Sequence, residues 1–136
     1  MKFSIDKHEK YIIIKPEVEK LISPESTSLK SEIVQNNTAG FKNIIIDLSF
    51  IKYIDSSGLS ALLLGNRLCK NQNGSFLITC PTEHVKKMIH ISMLESTLTI
   101  LPTNEEAIDM VFLEEIENDL LANEKEKEKG KKKKSQ

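Results

Sequence analysis

The stretch that most constrains the fold is an apolar run near the middle of the chain, Ile44-Ile45-Ile46-Asp47-Leu48. Three consecutive β-branched residues favour a strand, and the lack of polar alternation predicts that other elements cover both of its faces. Asn43 precedes the run and Ser49 follows it, and both residue types are typical of strand ends. A buried central strand of this kind is typical of an α/β fold.

The segments on either side of this strand alternate between strand and helix patterns. Residues 2–6 and 11–14 predict an N-terminal hairpin, and a helix is expected to begin at Ser23-Pro24 with a hydroxyl cap followed by proline. Further strands are predicted at residues 75–79 and 98–101, with helices that begin at Asp55-Ser56-Ser57, Thr82 and Asn104. This order predicts an α/β fold with a mixed, largely parallel sheet of about five strands and about four packed helices.

The charges are unevenly distributed along the 136 residues. Residues 124–136 hold seven Lys and three Glu, so the net charge of −1 leaves about −5 for residues 1–123. An acidic domain offers no basic footprint for nucleic acid, and we expect no direct nucleic-acid binding. We predict one domain over residues 1–121 and a disordered tail over residues 122–136, because alternating charges cannot form a core.

Several classes of protein are disfavoured by what the sequence lacks. No apolar run is long enough to span a bilayer, and the N-terminus has no signal-peptide pattern, so we expect a cytoplasmic protein without membrane insertion. Cys69 and Cys80 have neither disulfide-framework nor metal-ligand spacing and are expected to be reduced, partly buried thiols. No metal site and no cofactor are predicted.

A hydroxyl-rich turn, Asp55-Ser56-Ser57-Gly58, follows the central strand and opens a helix. In a parallel α/β unit such a turn lies at the carboxyl ends of the strands, where ligands and partners bind. We expect Gly58 to leave room for another molecule, and the uncapped N–H groups of the first turn to tolerate a phosphate. Ser57 has no G-x-S-x-G setting and no recognisable base, so no enzymatic activity is predicted.

The string from Asp47 to Leu59, D-L-S-F-I-K-Y-I-D-S-S-G-L, resembles the signature of the anti-sigma factor antagonists, which are small stand-alone STAS domains. The resemblance implies that Ser57 is phosphorylated by a partner anti-sigma factor with serine-kinase activity, and that a cognate phosphatase reverses this. It also implies a partner-binding loop made of Asp55, Ser56, Ser57, Gly58 and Leu59.

The mechanism that the resemblance implies is partner switching in bacterial transcription and stress regulation. The unphosphorylated domain binds the kinase/anti-sigma partner, and the phosphorylated domain releases it. A phosphate adds about −1.5 to −2 charge at neutral pH. Next to Asp55, that charge is expected to repel a docked partner while leaving the stability of the fold nearly unchanged.

Two further hypotheses stay open at this point. The first is a constitutive STAS scaffold, or a subunit of a transport or signalling complex, in which Ser57 is not phosphorylated. Ile22 favours it, because the family usually carries an acidic residue in the corresponding short segment, and the Lys-rich tail favours it too. A small α/β hydrolase or phosphotransferase is a more distant hypothesis.

The last predicted helix carries an apolar stripe beyond the expected edge of the domain. Leu113, Ile116 and Leu120 lie at helical spacing and are offset from the face that contains Ile108 and Phe112. The stripe is expected either to wrap back on the core or to bind a second subunit or a partner helix. We expect a monomer or a weak dimer.

Overall fold

A mixed sheet with helices on both faces forms the body of the molecule. The computed structural model describes residues 1–134. Its elements are β1 (Phe3–Lys7), β2 (Ile12–Pro16), β3 (Lys20–Leu21), α1 (Glu25–Thr38), β4 (Ile44–Asp47), β5 (Tyr53–Ile54), α2 (Ser56–Asn71), β6 (Phe76–Thr79), α3 (Glu83–Ile91), β7 (Thr99–Leu101) and α4 (Asn104–Lys134). The main sheet has the order β1-β2-β4-β6-β7. The α/β prediction is therefore confirmed.

The strand directions follow from the connections between the strands. β1 and β2 are joined by a tight turn and pair antiparallel, with Ile5 opposite Ile14. β2, β4, β6 and β7 are all parallel to their neighbours, because a helix crosses over between each pair. The carboxyl ends of these parallel strands consequently lie at one edge of the sheet.

Helices cover both faces of the sheet, as the apolar run of β4 predicts. All four residues of β4 are buried. Side chains alternate between the faces along a strand, so Ile44 and Ile46 belong to one apolar cluster and Ile45 to another. α1, α2 and α3 contribute to the first cluster, whereas Ile45 packs with α4 residues such as Val111. The second face is thus closed by α4.

A second, two-stranded sheet was not predicted from the sequence. β3 pairs parallel with β5, which places Leu21 beside Ile54, and both side chains are fully buried. Two residues per strand are too few to show a period in the sequence. The pair holds the segment before α1 against the segment before α2, so the two helices begin side by side.

The predicted start of α1 was wrong in its detail. The helix begins at Glu25 with Pro24 in the cap position, and no side chain caps it. The reason is that a backbone carbonyl takes the role of the expected hydroxyl, since the N–H of Ser26 donates to the carbonyl of Ile22 at 2.9 Å. The predicted apolar face is correct, and Leu29 and Ile33 are fully buried.

The last helix is longer than its packed part. Ala107 and Val111 of α4 are buried, whereas residues 119–128 are exposed and the helix continues to Lys134. The domain boundary at residue 121 and the disorder of residues 122–136 stay predictions. Within residues 1–134, no helix combines the length and the apolar character that crossing a bilayer requires.

The two cysteines differ in environment, and this gives a first prediction. Both are free thiols; Cys69 is buried and Cys80 is half-buried. Burial raises the pKa of the Cys69 thiol to about 12, so it carries almost no reactive thiolate at pH 8. We expect a thiol reagent to label one cysteine of the folded chain quickly, at Cys80, and both in denaturant. Fast labelling of Cys69 in the native protein would contradict this packing.

Candidate functional site

The candidate site lies at the start of α2, beyond the carboxyl end of β4. Asp55 is the N-cap residue, and its Oδ1 accepts hydrogen bonds from the N–H groups of Ser57 at 2.9 Å and Gly58 at 3.1 Å. These two donors are among the helix N–H groups that have no partner inside the helix. Asp55 therefore fixes the first turn of α2.

Three polar side chains are joined by hydrogen bonds at this turn. The Oγ of Ser57 lies 2.5 Å from Oδ1 of Asp55 and 2.8 Å from Oγ of Ser26. An ionised carboxylate can only accept, so the single hydroxyl hydrogen of Ser57 is donated to Asp55. Ser26 then donates to Ser57. The chain of donors runs from α1 through Ser57 to the cap of α2.

The predicted partner-binding residues differ in exposure. Ser56 is exposed, Asp55 and Ser57 are half-buried, and Gly58 and Leu59 are buried. Ser57 as a residue therefore keeps part of its surface in contact with solvent. Leu59 belongs to the main apolar cluster and offers little surface to a partner.

The role expected for Gly58 was wrong. A Cβ on this residue would lie 2.5 Å from Cγ1 of Ile54 and 2.8 Å from the carbonyl oxygen of Leu21. The space beside Gly58 is therefore filled by β3 and β5 of the same chain, and no other molecule enters it. The glycine is needed because the second sheet packs tightly against the first turn of α2.

The expectation of uncapped N–H groups at this turn was also wrong. Two of them are bonded to Asp55. The hydrogen bond from the Ser57 hydroxyl, together with these backbone bonds, lowers the pKa of Asp55, although partial burial opposes the shift. The carboxylate is therefore ionised at neutral pH and already occupies the place where a phosphate would bind a free helix N-terminus.

A second polar network anchors the loop that precedes the site. Oδ1 of Asp47 accepts from the N–H of Ser49 at 2.9 Å, and Oδ2 accepts from Nδ2 of Asn104 at 3.0 Å. Oδ1 of Asn104 in turn bonds the hydroxyl of Thr79. Asp47, which belongs to the string that carries the family resemblance, thus ties the end of β4 to β6 and to the start of α4.

Sequence reasoning missed three contributors to this region. Ser26 is 1% exposed and reaches Ser57 from α1, although 31 positions separate the two serines. Phe50 and Tyr53 are 44% and 45% exposed, and Tyr53 stacks on His84 with ring centroids 4.8 Å apart. Phe50 and Tyr53 could have been singled out from the sequence, because they are large aromatic residues in the short segment that connects β4 to α2. Nothing local distinguishes Ser26 from its neighbouring serines.

Across residues 1–134, the structure brings no three His, Cys, Asp or Glu side chains into an arrangement that could hold a metal ion.

Comparison with known proteins places this geometry in a family. The STAS domain model matches residues 3–107. The chain is similar to the anti-sigma factor antagonist SpoIIAA in its unphosphorylated form, with 22% identity, a TM-score of 0.69, and coverage of 81% of this chain and 96% of that chain. It is also similar to the Bacillus cell fate determinant SpoIIAA in the phosphorylated form, with 22% identity, a TM-score of 0.63, and coverage of 81% and 99%.

A third similar structure is an anti-sigma factor antagonist from Mycobacterium paratuberculosis, with 20% identity, a TM-score of 0.71, and coverage of 81% of this chain and 92% of that chain. At these identities the likeness shows a shared fold.

The charge of Asp55 gives a pH-dependent prediction. Because folding lowers its pKa, the stability that the carboxylate adds is present above the ordinary aspartate value of about 3.9 and is lost as the pH falls through the lowered pKa. We expect wild type to exceed Asp55→Asn in unfolding free energy at neutral pH, by a margin that shrinks on acidification. Urea unfolding over a pH series measures this.

The matched control is Asp119→Asn, which changes an exposed carboxylate on α4 and should leave the unfolding free energy nearly unchanged at each pH. A margin between wild type and Asp55→Asn that stayed constant down to acid pH would contradict the assigned role of the charge.

Gly58→Ala tests the close packing of the second sheet. The added methyl group has to displace the Leu21 carbonyl or the Ile54 side chain, so we expect a loss of about 1–3 kcal/mol in unfolding free energy. Ser60→Ala on the same helix is exposed and should stay within about 0.5 kcal/mol of wild type. Equal stability of the two variants would show that the site tolerates a side chain.

Proposed function

The chain belongs to the STAS domain family, and we propose that it is a cytoplasmic, anti-sigma factor antagonist-like regulator that is switched by phosphorylation of Ser57. Unphosphorylated, it binds a kinase/anti-sigma partner, and phosphorylated, it releases that partner until a phosphatase restores it. Its structural neighbours, which include an anti-sigma factor antagonist and a phosphorylated form, support this role.

The single observation that carries the proposal is the Ser57 hydroxyl at the mouth of α2. Ser57 is half-buried as a residue, and its hydroxyl lies within hydrogen-bond distance of Asp55 and Ser26. Phosphorylation replaces the O–H bond of Ser57 by an O–P bond. Asp55 then loses its hydroxyl donor and instead faces about −1.5 to −2 of added charge.

The position of the cap makes this charge hard to neutralise within the domain. In many proteins a phosphate at a helix start is bound by free backbone N–H groups. Here the N–H groups of Ser57 and Gly58 are already bonded to Asp55. The phosphate therefore has to turn outward or displace the Asp55 carboxylate, and in both cases the surface seen by a partner changes.

The exposed aromatic residues beside the turn suit a protein partner. Phe50 and Tyr53 both lie on the segment that leads into α2, and each keeps close to half of its surface in contact with solvent. Aromatic side chains dominate the binding energy of many interfaces. We propose that the partner surface consists of Phe50, Tyr53, Ser56 and Ser57, with Asp55 and Gly58 shaping the turn beneath it.

The geometry also supports a regulatory role over catalysis by Ser57. A nucleophilic serine needs a base to take its proton and donors to stabilise an oxyanion. The base within reach is Asp55, whose pKa is lowered by its hydrogen bonds from Ser57 and Gly58, and a carboxylate of lowered pKa is a poor base. The N–H groups that could form an oxyanion hole are the ones that Asp55 occupies.

Intact-mass measurement and peptide mapping of the protein from its native host test the modification directly. We expect phosphate on Ser57 under some growth or stress conditions. Phosphate on Ser56 alone, or none under any condition, would favour the constitutive scaffold. Ile22 favours that alternative, because the family usually carries an acidic residue in the corresponding short segment.

Substitution of Ser57 tests the switch. We expect Ser57→Ala to retain a partner captured from a host extract and Ser57→Asp to lose it. The control is Ser31→Asp, which adds the same charge at an exposed serine of α1 outside the proposed partner surface and should retain the partner. Both Ser57 variants lose hydrogen bonds, so each should be less stable by about 1 kcal/mol, which is more than the sequence alone suggests. Equal capture by all three variants would rule out a charge-operated switch at Ser57.

A further inference from the structure

The outward face of α4 carries apolar side chains that nothing in the described chain covers. Phe112, Leu113, Ile116, Leu120 and Leu121 are each about half exposed or more. Leu113, Ile116 and Leu120 are three and four positions apart and form one stripe. With 3.6 residues per turn, this stripe lies on the side of the helix opposite Ala107 and Val111, which are buried against the sheet.

The same helix carries both faces, so the stripe points away from the core of its own domain. Only a second molecule can cover this apolar stripe. Charged residues continue the stripe in both directions at the same helical spacing, with Glu106 and Asp109 before it and Glu124 and Lys127 after it, all exposed. The face is therefore acidic before the apolar stripe and of mixed charge directly after it.

The charge of the whole helix is also unevenly divided. Residues 104–123 contain seven acidic residues and no basic residue, whereas residues 124–134 contain seven Lys and three Glu. A helix with this pattern is complementary to a second copy of itself laid in the opposite direction. In a parallel arrangement, like charges would face each other at both ends.

We propose that α4 binds α4 of a second copy of this chain in an antiparallel pair related by a two-fold axis. With the axis crossing the outer face of α4 at the level of residue 118, Ile116 packs against Leu120 of the other copy, and Asp109 faces Lys127 of the other copy. Each contact occurs twice, as a two-fold interface requires. The part of α4 beyond the domain, which is too short to be stable as an isolated helix in water, lies along the packed part of the other α4.

A membrane surface fits this face less well. Amphipathic helices that bind anionic lipid carry basic residues beside their apolar stripe. Here the residues beside the stripe include Glu117 and Asp119, both exposed, and the basic segment begins only after it. The proposed dimer involves neither Ser57 nor its neighbours, so a test of the dimer does not depend on the proposed switch.

Sedimentation velocity of the full chain over a wide concentration range tests the pair. We expect the mass to rise from the monomer value of 15.4 kDa toward twice that value. Ile116→Asp should remain monomeric at the highest concentration. Ile91→Asp is the matched control, since Ile91 on α3 is exposed to a similar degree, 60% against 57%, and should dimerise like wild type. Circular dichroism should show both variants folded.

Charge reversal tests the antiparallel direction. Asp109→Lys and Lys127→Asp should each weaken association several-fold, and the double variant should regain it, because the reversed charges again face each other. Single variants that associate like wild type would overturn this arrangement. So would a monomer at every concentration, and if that monomer co-sedimented with anionic vesicles, the occupant of the stripe would be lipid.

Discussion

The geometry at the start of α2 depends on the carboxylate of Asp55. It caps α2 by accepting hydrogen bonds from two backbone N–H groups, and it accepts a third from the hydroxyl of Ser57. That hydroxyl is also hydrogen-bonded to Ser26 of α1. Two helices that cross over on the same face of the sheet therefore begin at one hydrogen-bonded cluster. Any group added to the Ser57 oxygen has to disturb this cluster, so the proposed phosphorylation site is also part of the cap of α2.

The rest of the fold places that cluster at one edge of the main sheet. The parallel strands bring their carboxyl ends to one edge, and the network of Asp47, Asn104 and Thr79 fixes the loop that leaves β4 there. The short β3–β5 pair then presses against Gly58. Since no side chain fits between them, the inner side of the turn is filled by the chain itself, and a change of charge at Ser57 would act on the outer surface.

α4 combines two tasks at opposite sides of one helix. Its inner side closes the second face of the sheet through Ala107 and Val111, and its outer side carries an apolar stripe between an acidic and a basic segment. The length of the helix separates these charges, and only a partner running in the opposite direction brings unlike charges together. Dimerisation through α4 would leave the start of α2 free for a different protein.

The sequence by itself determined the α/β fold, the buried strand that begins at Ile44 and the start of a helix at Asp55-Ser56-Ser57-Gly58, because periodicity and cap chemistry are local properties of the chain. It did not show that Ser26 contacts Ser57 or that Gly58 is packed against Leu21. These facts depend on segments about thirty or more positions apart meeting in space. Only the tertiary structure brings them together, because a two-residue strand pair and a serine among serines leave no pattern in the sequence.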